Sequence, residues 1–182
     1  MRFFGTVPLT TQNLYLRRYH INDVPALHKI GSDPKVNQYI TFTPCKTLQG
    51  TKDFVMINLQ EYRNDQSFFG WAITKDDKLV GSIGTYNMDR ENESCEVGYN
   101  ISSEHWNEGI ATESLQAVLK YLFENIQMHK VYASFHVDNV ASKKVLEKCG
   151  MSYEGTAREQ IKEKDGSFSD LIYYGITAGE YF

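Results

Sequence analysis

The chain has 182 residues, of which 41% are hydrophobic and 13% aromatic, so it is long enough and apolar enough to build one domain with a real core. Its 19 basic and 23 acidic residues give a formal net charge of −4, which provides no general attraction to nucleic acid or to an anionic membrane. No low-complexity linker, charge block or internal repeat divides the sequence, and we expect a single domain over residues 1–182.

The cysteines and the first residues indicate the cellular compartment. Cys45, Cys95 and Cys149 are odd in number and far apart, with no CxxC pair, which argues against a disulfide framework or a zinc site and for small buried side chains in a reducing environment. The N-terminal segment has no signal-peptide hydrophobic region, and no apolar run approaches the length of a membrane span. We therefore predict a cytoplasmic protein without a metal site.

Hydrophobic periodicity predicts a chain in which strands and helices alternate. Leu14–Tyr19 is a candidate first strand, and Asn22 or Asp23 can cap a short helix that ends near Gly31. A second helix is predicted from about Thr51 to Arg63. The side chains that mark its turns are Phe54, Ile57, Glu61 and Tyr62.

The middle of the chain predicts strands followed by a long helix. Three successive strands are expected over Ser67–Thr74, Lys78–Asn87 and Glu93–Ile101, a spacing typical of an antiparallel meander. The clearest helix begins near Gly109, where apolar side chains recur at helical spacing as far as Ile126.

The last third predicts one more helix among three strands. A strand over Lys130–Val137 precedes a compact helix over Val140–Cys149, and two strands follow near Met151–Glu163 and Leu171–Ile176, joined by the turn Asp165–Gly166. Together the elements predict an α/β fold with a mixed, largely antiparallel sheet. The long central helix links two strands, which its crossover should make parallel.

The segment His105–Glu113 lies between a predicted strand and the best predicted helix. A short turn of small residues that opens a helix directs unpaired backbone N–H groups and the positive end of the helix dipole at one point. Such a turn suits a pyrophosphate, and Gly109 fits it because a Cβ there would obstruct the turn or the ligand. Taken alone, such a segment is more often an ordinary turn.

Three motifs in matching order resemble the GNAT superfamily of acetyltransferases, in particular the RimJ/RimL branch that acetylates ribosomal-protein N-termini. Trp106–Glu113 is similar to that branch's acyl-CoA loop, W-x-x-G-x-A-T-E, with Trp106 where the wider family has Gln or Arg. Glu96–Tyr99 is similar to E-[IV]-G-Y, and Val137–Met151 to V-x-N-x-x-S-x-x-V-L-E-K-x-G-F. The tail repeats the branch's pattern at Gly155, Arg158, Asp165, Gly166 and Asp170.

The resemblance implies the GNAT fold, a mixed and mostly antiparallel sheet with helices on both faces. Two parallel strands splay apart in that fold, and the pantetheine arm of acetyl-CoA enters the gap. The implied cofactor contacts are Tyr99, Asn100, Ile101, Glu108, Gly109, Ile110, Ala111, Thr112, Asn139 and Ser142. The strand and loop residues among them would act mainly through backbone, and Asn139 has an equally good interpretation as a helix cap.

The implied reaction is attack of a neutral amine on a thioester, which needs a base for the amine proton and benefits from a proton donor for the thiolate. Glu96 is the candidate base, with a solvent-facing or structural glutamate as the alternative. Many family members use a tyrosine as the acid, but Leu146 occupies that position here, so Ser142 is the candidate replacement. Some side chains from Tyr39 to Phe42 are expected to border the acceptor cleft.

The expected acceptor is a protein or peptide N-terminal amine, with a small amine such as a polyamine or an aminoglycoside as the alternative. A catalytically silent acyl-CoA-binding domain is the rival from another class, and turnover with amines would separate the two. A Rossmann-type site would need a G-x-G-x-x-G run, which the sequence lacks. The histidines have no Asp or Ser partner at a readable spacing, so a hydrolase triad has no support. We expect a monomer or homodimer.

Overall fold

The computed structural model describes residues 3–40 and 45–182, which contain a sheet of eight strands in the order β1-β2-β3-β4-β5-β6-β8-β7. The strands are β1 Leu9–Thr10, β2 Tyr15–Arg17, β3 Gly70–Lys75, β4 Lys78–Asp89, β5 Ser94–Ile101, β6 Lys130–His136, β7 Ser152–Lys162 and β8 Phe168–Thr177. The helices are α1 Val24–Gly31, α2 Leu48–Asn64, α3 Ile110–Lys120, α4 Val140–Lys148 and α5 Ala178–Tyr181.

One pair of neighbouring strands is parallel and the others are antiparallel. The parallel pair is β5 and β6, and α3 lies in the crossover between them, as predicted. The predicted mixed and mostly antiparallel sheet is therefore confirmed. β1 and α5, with two and four residues, escape prediction because elements this short have no measurable periodicity.

The main core lies on the face of the sheet that α3 covers. The apolar stripe predicted for this helix is buried, and it continues through the π-helical turn Tyr121–Ile126. Tyr121, Leu122 and Phe123 are consecutive and all buried. The predicted stripe therefore continues without a break to Ile126, and what the sequence did not predict is the π-helical geometry of the last turn.

The start of α1 differs from the predicted cap. The Asp23 side chain does not cap α1; its two carboxylate oxygens accept from the Arg17 guanidinium at 2.7 and 2.8 Å. A short 3₁₀ turn, Ile21–Asp23, precedes the helix, and Asp23 belongs to the capping box of that turn: its Oδ2 accepts from the backbone N–H of His20 at 2.7 Å. Asp23 therefore caps the 3₁₀ turn in place of α1 and also holds β2 against α1.

The face of α2 that points inward also differs from the prediction. Its buried side chains are Thr51, Val55 and Asn58, whereas Phe54 and Ile57 are 37% and 56% exposed. The two polar side chains can be buried because each has a partner: Thr51 Oγ1 lies 3.0 Å from His28 Nδ1, and Asn58 Nδ2 donates to the Phe54 carbonyl at 2.7 Å.

The second face of the sheet is covered unevenly. Near β3, the helices α1 and α2 bury a small cluster of Tyr19, Val24, Val55 and Ala72. Toward β6, β8 and β7 the same face carries a shallow open groove of about 520 Å³. We call this the β6–β7 groove; it is lined by Lys130, Tyr132, Glu154, Gly155, Thr156, Ala157 and Tyr173.

Glu113 ties the N-terminal segment to the first turn of α3. Its Oε1 accepts from Thr11 Oγ1 at 2.6 Å and from the backbone N–H of Asn13 at 2.8 Å, and its Oε2 accepts from Asn13 Nδ2 at 3.0 Å. Burial opposes ionisation of this carboxyl, but the hydrogen bonds from Thr11 and Asn13 outweigh it, and the pKa of Glu113 is lowered.

Replacing Glu113 with Gln should lower the free energy of unfolding by about 1 kcal/mol at neutral pH, since charge-assisted bonds are lost at a half-exposed site. Because the folded pKa is lowered, the wild-type advantage is complete above the unfolded value of about 4.3 and is lost as the pH falls through the folded value. Urea unfolding at pH 7 and at about pH 3 checks this. Glu61→Gln on α2 is the control, and an advantage of equal size at both pH values would contradict the assignment.

Candidate active site

β5 and β6 are paired only where they begin. Their register runs from Ser94 opposite Lys130 to Glu96 opposite Tyr132. Beyond this point β5 stays bonded to β4 as far as Ile101, while β6 stays bonded to β8. A gap therefore opens toward the carboxyl ends of the two strands, and within the described chain β5 has no strand partner on that side over residues 97–101.

The turn before α3 has the geometry of an anion-binding site. Asn107 and Gly109 adopt left-handed backbone conformations, with φ of 65° and 80°, and α3 then begins without a side-chain cap. The first backbone N–H groups of a helix have no acceptor within it. Those of Ile110, Ala111 and Thr112 therefore lie at the positive end of the helix dipole without intrahelical acceptors, which is the arrangement that an anion-binding site requires.

The requirement for glycine at position 109 comes from backbone conformation. A Cβ added to Gly109 would meet no protein atom within 4 Å, so the expected obstruction within the turn itself is absent. At a φ of 80°, however, a residue with a side chain costs about 1–2 kcal/mol. Asn107 occupies the same region more readily than most residues, because a short amide side chain tolerates it.

The side chains of this turn are held by neighbouring elements. Trp106 Nε1 donates to the Ile101 carbonyl at 3.0 Å, which joins the turn to the end of β5. Glu108 accepts from Lys75 Nζ at 2.6 Å and lies 3.1 Å from His105 Nδ1, and its pKa is lowered by these two contacts. The Glu108 carboxylate is thus engaged by two side chains of the protein, Lys75 and His105.

Glu96 lies where the gap closes, on the last residue of β5 that is paired with β6. Asn87 Nδ2 donates to its Oε2 at 2.7 Å, and the hydroxyl of Ser134 on β6 donates to its Oε1. Tyr132 lies opposite, and burial together with the charge of Glu96 raises the pKa of its phenol. Neighbours on both sides therefore fix the direction of the Glu96 carboxylate.

The other side of the gap is formed by the start of α4. Asn139 Oδ1 accepts from the backbone N–H of Ser142 at 3.1 Å, so the predicted cap is present. Leu146, at the position of the family's tyrosine acid, is buried in the core. The Tyr99 side chain extends from β5 toward Ser142, and its hydroxyl is buried.

A contact between His136 and Glu163 at the end of β6 is a feature that the sequence did not suggest. His136, at the end of β6, is buried, and its Nε2 lies 2.8 Å from Glu163 Oε1 on the loop that joins β7 to β8. Tyr39 stacks on the His136 ring with centroids 5.4 Å apart, so this segment reaches the end of β6. That it borders the acceptor cleft stays a prediction. Phe42, named in the same expectation, lies outside the described residues.

The predicted site residues thus surround one gap. Tyr99, Asn100 and Ile101 lie on the unpaired edge of β5, and Glu108 through Thr112 form the turn at its end. Asn139 and Ser142 begin α4, which contacts α3 where Cys149 Sγ donates to the Thr112 carbonyl at 3.7 Å. Whether each of these groups contacts a ligand stays a prediction.

A splayed parallel pair beside an uncapped helix start defines an acyl-CoA acetyltransferase fold, and the sequence match agrees. Residues 13–152 match the family described as the acetyltransferase (GNAT) domain. The chain belongs to the GNAT family and is an N-acetyltransferase.

The similarity to known proteins covers most of the chain. The uncharacterized N-acetyltransferase YnaD of Bacillus subtilis is 30% identical and covers 95% of this chain and 98% of its own. A crystal structure of a GNAT-family acetyltransferase from Bacillus anthracis superposes with a TM-score of 0.81 at 26% identity, covering 95% and 99% of the two chains. The ribosomal-protein-serine acetyltransferase of Escherichia coli is 27% identical over 71% of this chain and 67% of its own, in keeping with a RimJ/RimL-like branch.

Two of the three cysteines are buried in the core. Cys95 and Cys149 are free and buried, as predicted, and burial raises the pKa of each thiol to about 12, whereas Cys45 is exposed, contrary to prediction. Among residues 3–40 and 45–182 no helix is both long and apolar enough to cross a membrane. Nor do the described side chains include three or more His, Cys, Asp or Glu placed to hold a metal ion.

We predict that acetyl-CoA raises the melting temperature of the protein and that Gly109→Val abolishes this rise. A branched side chain at φ 80° would distort the turn that presents the N–H groups, while a ligand that binds only the folded state stabilises it by mass action. The matched control is Gly166→Val, since Gly166 has a φ of 90° and equally open surroundings but lies on the β7–β8 loop. A ligand-induced rise that survives in the Gly109 variant would place the cofactor elsewhere.

Proposed function

We propose that the protein transfers an acetyl group directly from acetyl-CoA to a primary amine, with Glu96 as the base. The observation that carries this proposal is the position of Glu96 at the closed end of a gap whose open end meets the uncapped start of α3. A ligand with a pyrophosphate at one end and a reactive group at the other can therefore join the two places.

The residues present fit acetyl-CoA. The unpaired stretch of β5 covers residues 97–101, or about 17 Å at roughly 3.3 Å per residue, which suits an extended pantetheine chain. Its free backbone groups need hydrogen-bond partners, and the two amides of pantetheine offer them. Acetyl-CoA supplies an activated thioester, and the protein supplies position and proton transfer.

Glu96 receives the proton that the amine loses when its nitrogen bonds to the thioester carbon. The bonds from Asn87 and Ser134 hold the carboxylate in one orientation, which is what a base needs to be in reach of the incoming nitrogen. Ser142, at the start of α4 across the gap, is the candidate that protonates the departing thiolate.

Glu96→Gln should lower kcat by about 10²- to 10⁴-fold, because the amide cannot accept the proton. The amide keeps the shape and can still accept from Ser134, so the affinity for acetyl-CoA should change little. Steady-state kinetics across a pH series and acetyl-CoA titration measure the two quantities, with Glu91→Gln on the β4–β5 turn as the control. A wild-type rate at every pH would move the base role to water or another residue.

The acceptor is proposed to be a peptide or protein α-amine. An α-amine, with a pKa of about 7.7–8.0, is roughly one quarter to two fifths free base at about pH 7.5, whereas a lysine amine near 10.4 needs roughly 4 kcal/mol to deprotonate at that pH. A site with one candidate base suits the amine that is easier to deprotonate. Among related structures, one is described as the ribosomal L7/L12 α-N-protein acetyltransferase RimL and another as a spermidine acetyltransferase chimera, so the fold serves both substrate classes.

The charges beside the cleft support the peptide over the polyamine. Two carboxylates that a polycation would need are already paired, Glu154 with Lys130 Nζ at 2.8 Å and Glu163 with His136 Nε2 at 2.8 Å. The β6–β7 groove includes Tyr132, which lies opposite Glu96, and it is open and shallow, which suits a peptide that follows the reacting amine.

A competition assay tests the acceptor. Short peptides with free N-termini should be acetylated with a higher kcat/KM than the same peptides with blocked N-termini, spermidine or an aminoglycoside. Lysine-containing peptides with a blocked N-terminus are the matched control for side-chain acetylation. Faster acetylation of blocked peptides or of spermidine would overturn the α-amine proposal and leave acetyl transfer intact.

A further inference from the structure

The hydroxyl of Tyr99 is the one buried side-chain nitrogen or oxygen without a hydrogen-bond partner among residues 3–40 and 45–182. Its surroundings are polar only in part: burial raises the pKa of the phenol, the nearby Ser142 hydroxyl lowers it, and the Cys149 thiol raises it further. Ser142 is thus close by, but not in a position to complete a hydrogen bond.

An orphaned buried hydroxyl is unfavourable, because its lost bonds to water are not replaced. Phenylalanine would fill the same space without that penalty. Such groups in native proteins generally find their partner in a water molecule, an ion or a ligand. A partner that arrives with the ligand would explain why the position holds a tyrosine.

Tyr99 is placed to meet the reactive end of acetyl-CoA. It lies on the unpaired edge of β5, three residues beyond Glu96, so the alternation of a strand puts the two side chains on opposite faces of the sheet. Between them Gly98 contributes no side chain to the gap. A thioester that lies across this gap has Glu96 on one side and the Tyr99 hydroxyl on the other.

We propose that the Tyr99 hydroxyl donates a hydrogen bond to the sulfur of CoA and stabilises it as the carbon–sulfur bond breaks. This role rests on the proposed acetyl transfer. The amine nitrogen forms a bond to the carbonyl carbon, its proton passes to Glu96, and the electron pair of the carbon–sulfur bond goes to sulfur.

Tyr99 keeps its own proton throughout this step. Burial holds the pKa of its phenol well above that of a thiol, about 8.5. The phenol therefore stabilises a thiolate as a hydrogen-bond donor, while a full proton transfer from it would be unfavourable. The sulfur regains its proton from water, with the Ser142 hydroxyl as the relay that gives one proton to sulfur as it takes another from water, since a serine hydroxyl is too weak an acid to lose its own proton to a thiolate.

The first test is Tyr99→Phe. The single-turnover rate of acetyl transfer should fall by about 10- to 100-fold, the loss expected for a hydrogen bond to a developing charge, while the affinity for acetyl-CoA stays close to wild type. Because the removed hydroxyl has no partner in the protein, the melting temperature without ligand should stay the same or rise. Tyr15→Phe, at the far side of the sheet on β2, is the matched control and should change neither rate nor titration.

The second test uses CoA itself and needs no acceptor. The ultraviolet absorbance of thiolate, followed against pH, gives the pKa of the bound CoA thiol. Loss of a bond to the thiolate should raise that pKa by about 1 to 2 in Tyr99→Phe relative to wild type.

The outcomes separate the two proposals. If the wild type acetylates no amine, acetyl transfer is wrong, and the thiol titration still reports whether Tyr99 contacts the sulfur. If the wild type is active and the Tyr99 variant keeps both its rate and its thiol pKa, the Tyr99 role alone is wrong. A lower rate with an unchanged thiol pKa would place the hydroxyl on the acetyl carbonyl and would also overturn the proposal.

Discussion

The separation of β5 from β6 beyond Glu96 and Tyr132 is the constraint on which the rest of the site depends. Each strand is held on its outer side, β5 by β4 and β6 by β8, so neither can move to close the gap without breaking a longer ladder. The inner edge of β5 then presents backbone groups that must find partners. In most sheets such an edge is a hazard, since it can pair with another chain. Here it is short, sits inside the sheet and faces α4.

The same gap divides the chemistry between two faces of one sheet. Strand alternation puts Glu96 with Asn87 and Ser134 on the face that carries the β6–β7 groove, and Tyr99 on the face that carries α3 and α4. In the proposed mechanism the amine loses its proton on the first face, and negative charge collects on sulfur at the second. Base and sulfur partner then act from opposite faces, and neither side chain needs to move during the reaction.

Local signals explain what could be predicted from the sequence. The crossover from β5 to β6 and the turn at Gly109 follow from periodicity and from a glycine before an apolar stripe, both readable within about 20 residues. The buried face of α2 could not be predicted, because Thr51 and Asn58 are buried only through partners such as His28 on another helix. The contact between His136 and Glu163 joins positions 27 residues apart, which no local pattern could reveal. The Tyr99 hydroxyl lacks a hydrogen-bond partner only because of how the folded chain surrounds it, and this too cannot be predicted from the sequence.

The cofactor half and the acceptor half of the proposed site also differ in how much they depend on side chains. The cofactor half is built largely from backbone, namely the first N–H groups of α3 and the edge of β5, so many sequences can form it once the turn and the splay are kept. The acceptor half is built from side chains, with Tyr39 stacked on His136 and His136 bound to Glu163, and these link a loop, a strand end and the β7–β8 connection. In the proposed site, a substitution at any of the three would change the shape of the acceptor cleft and leave the backbone groups assigned to the cofactor in place. Substrate preference could therefore change while acetyl transfer persists, and the proposal assigns the choice of acceptor to those three side chains and the groove beside Glu96.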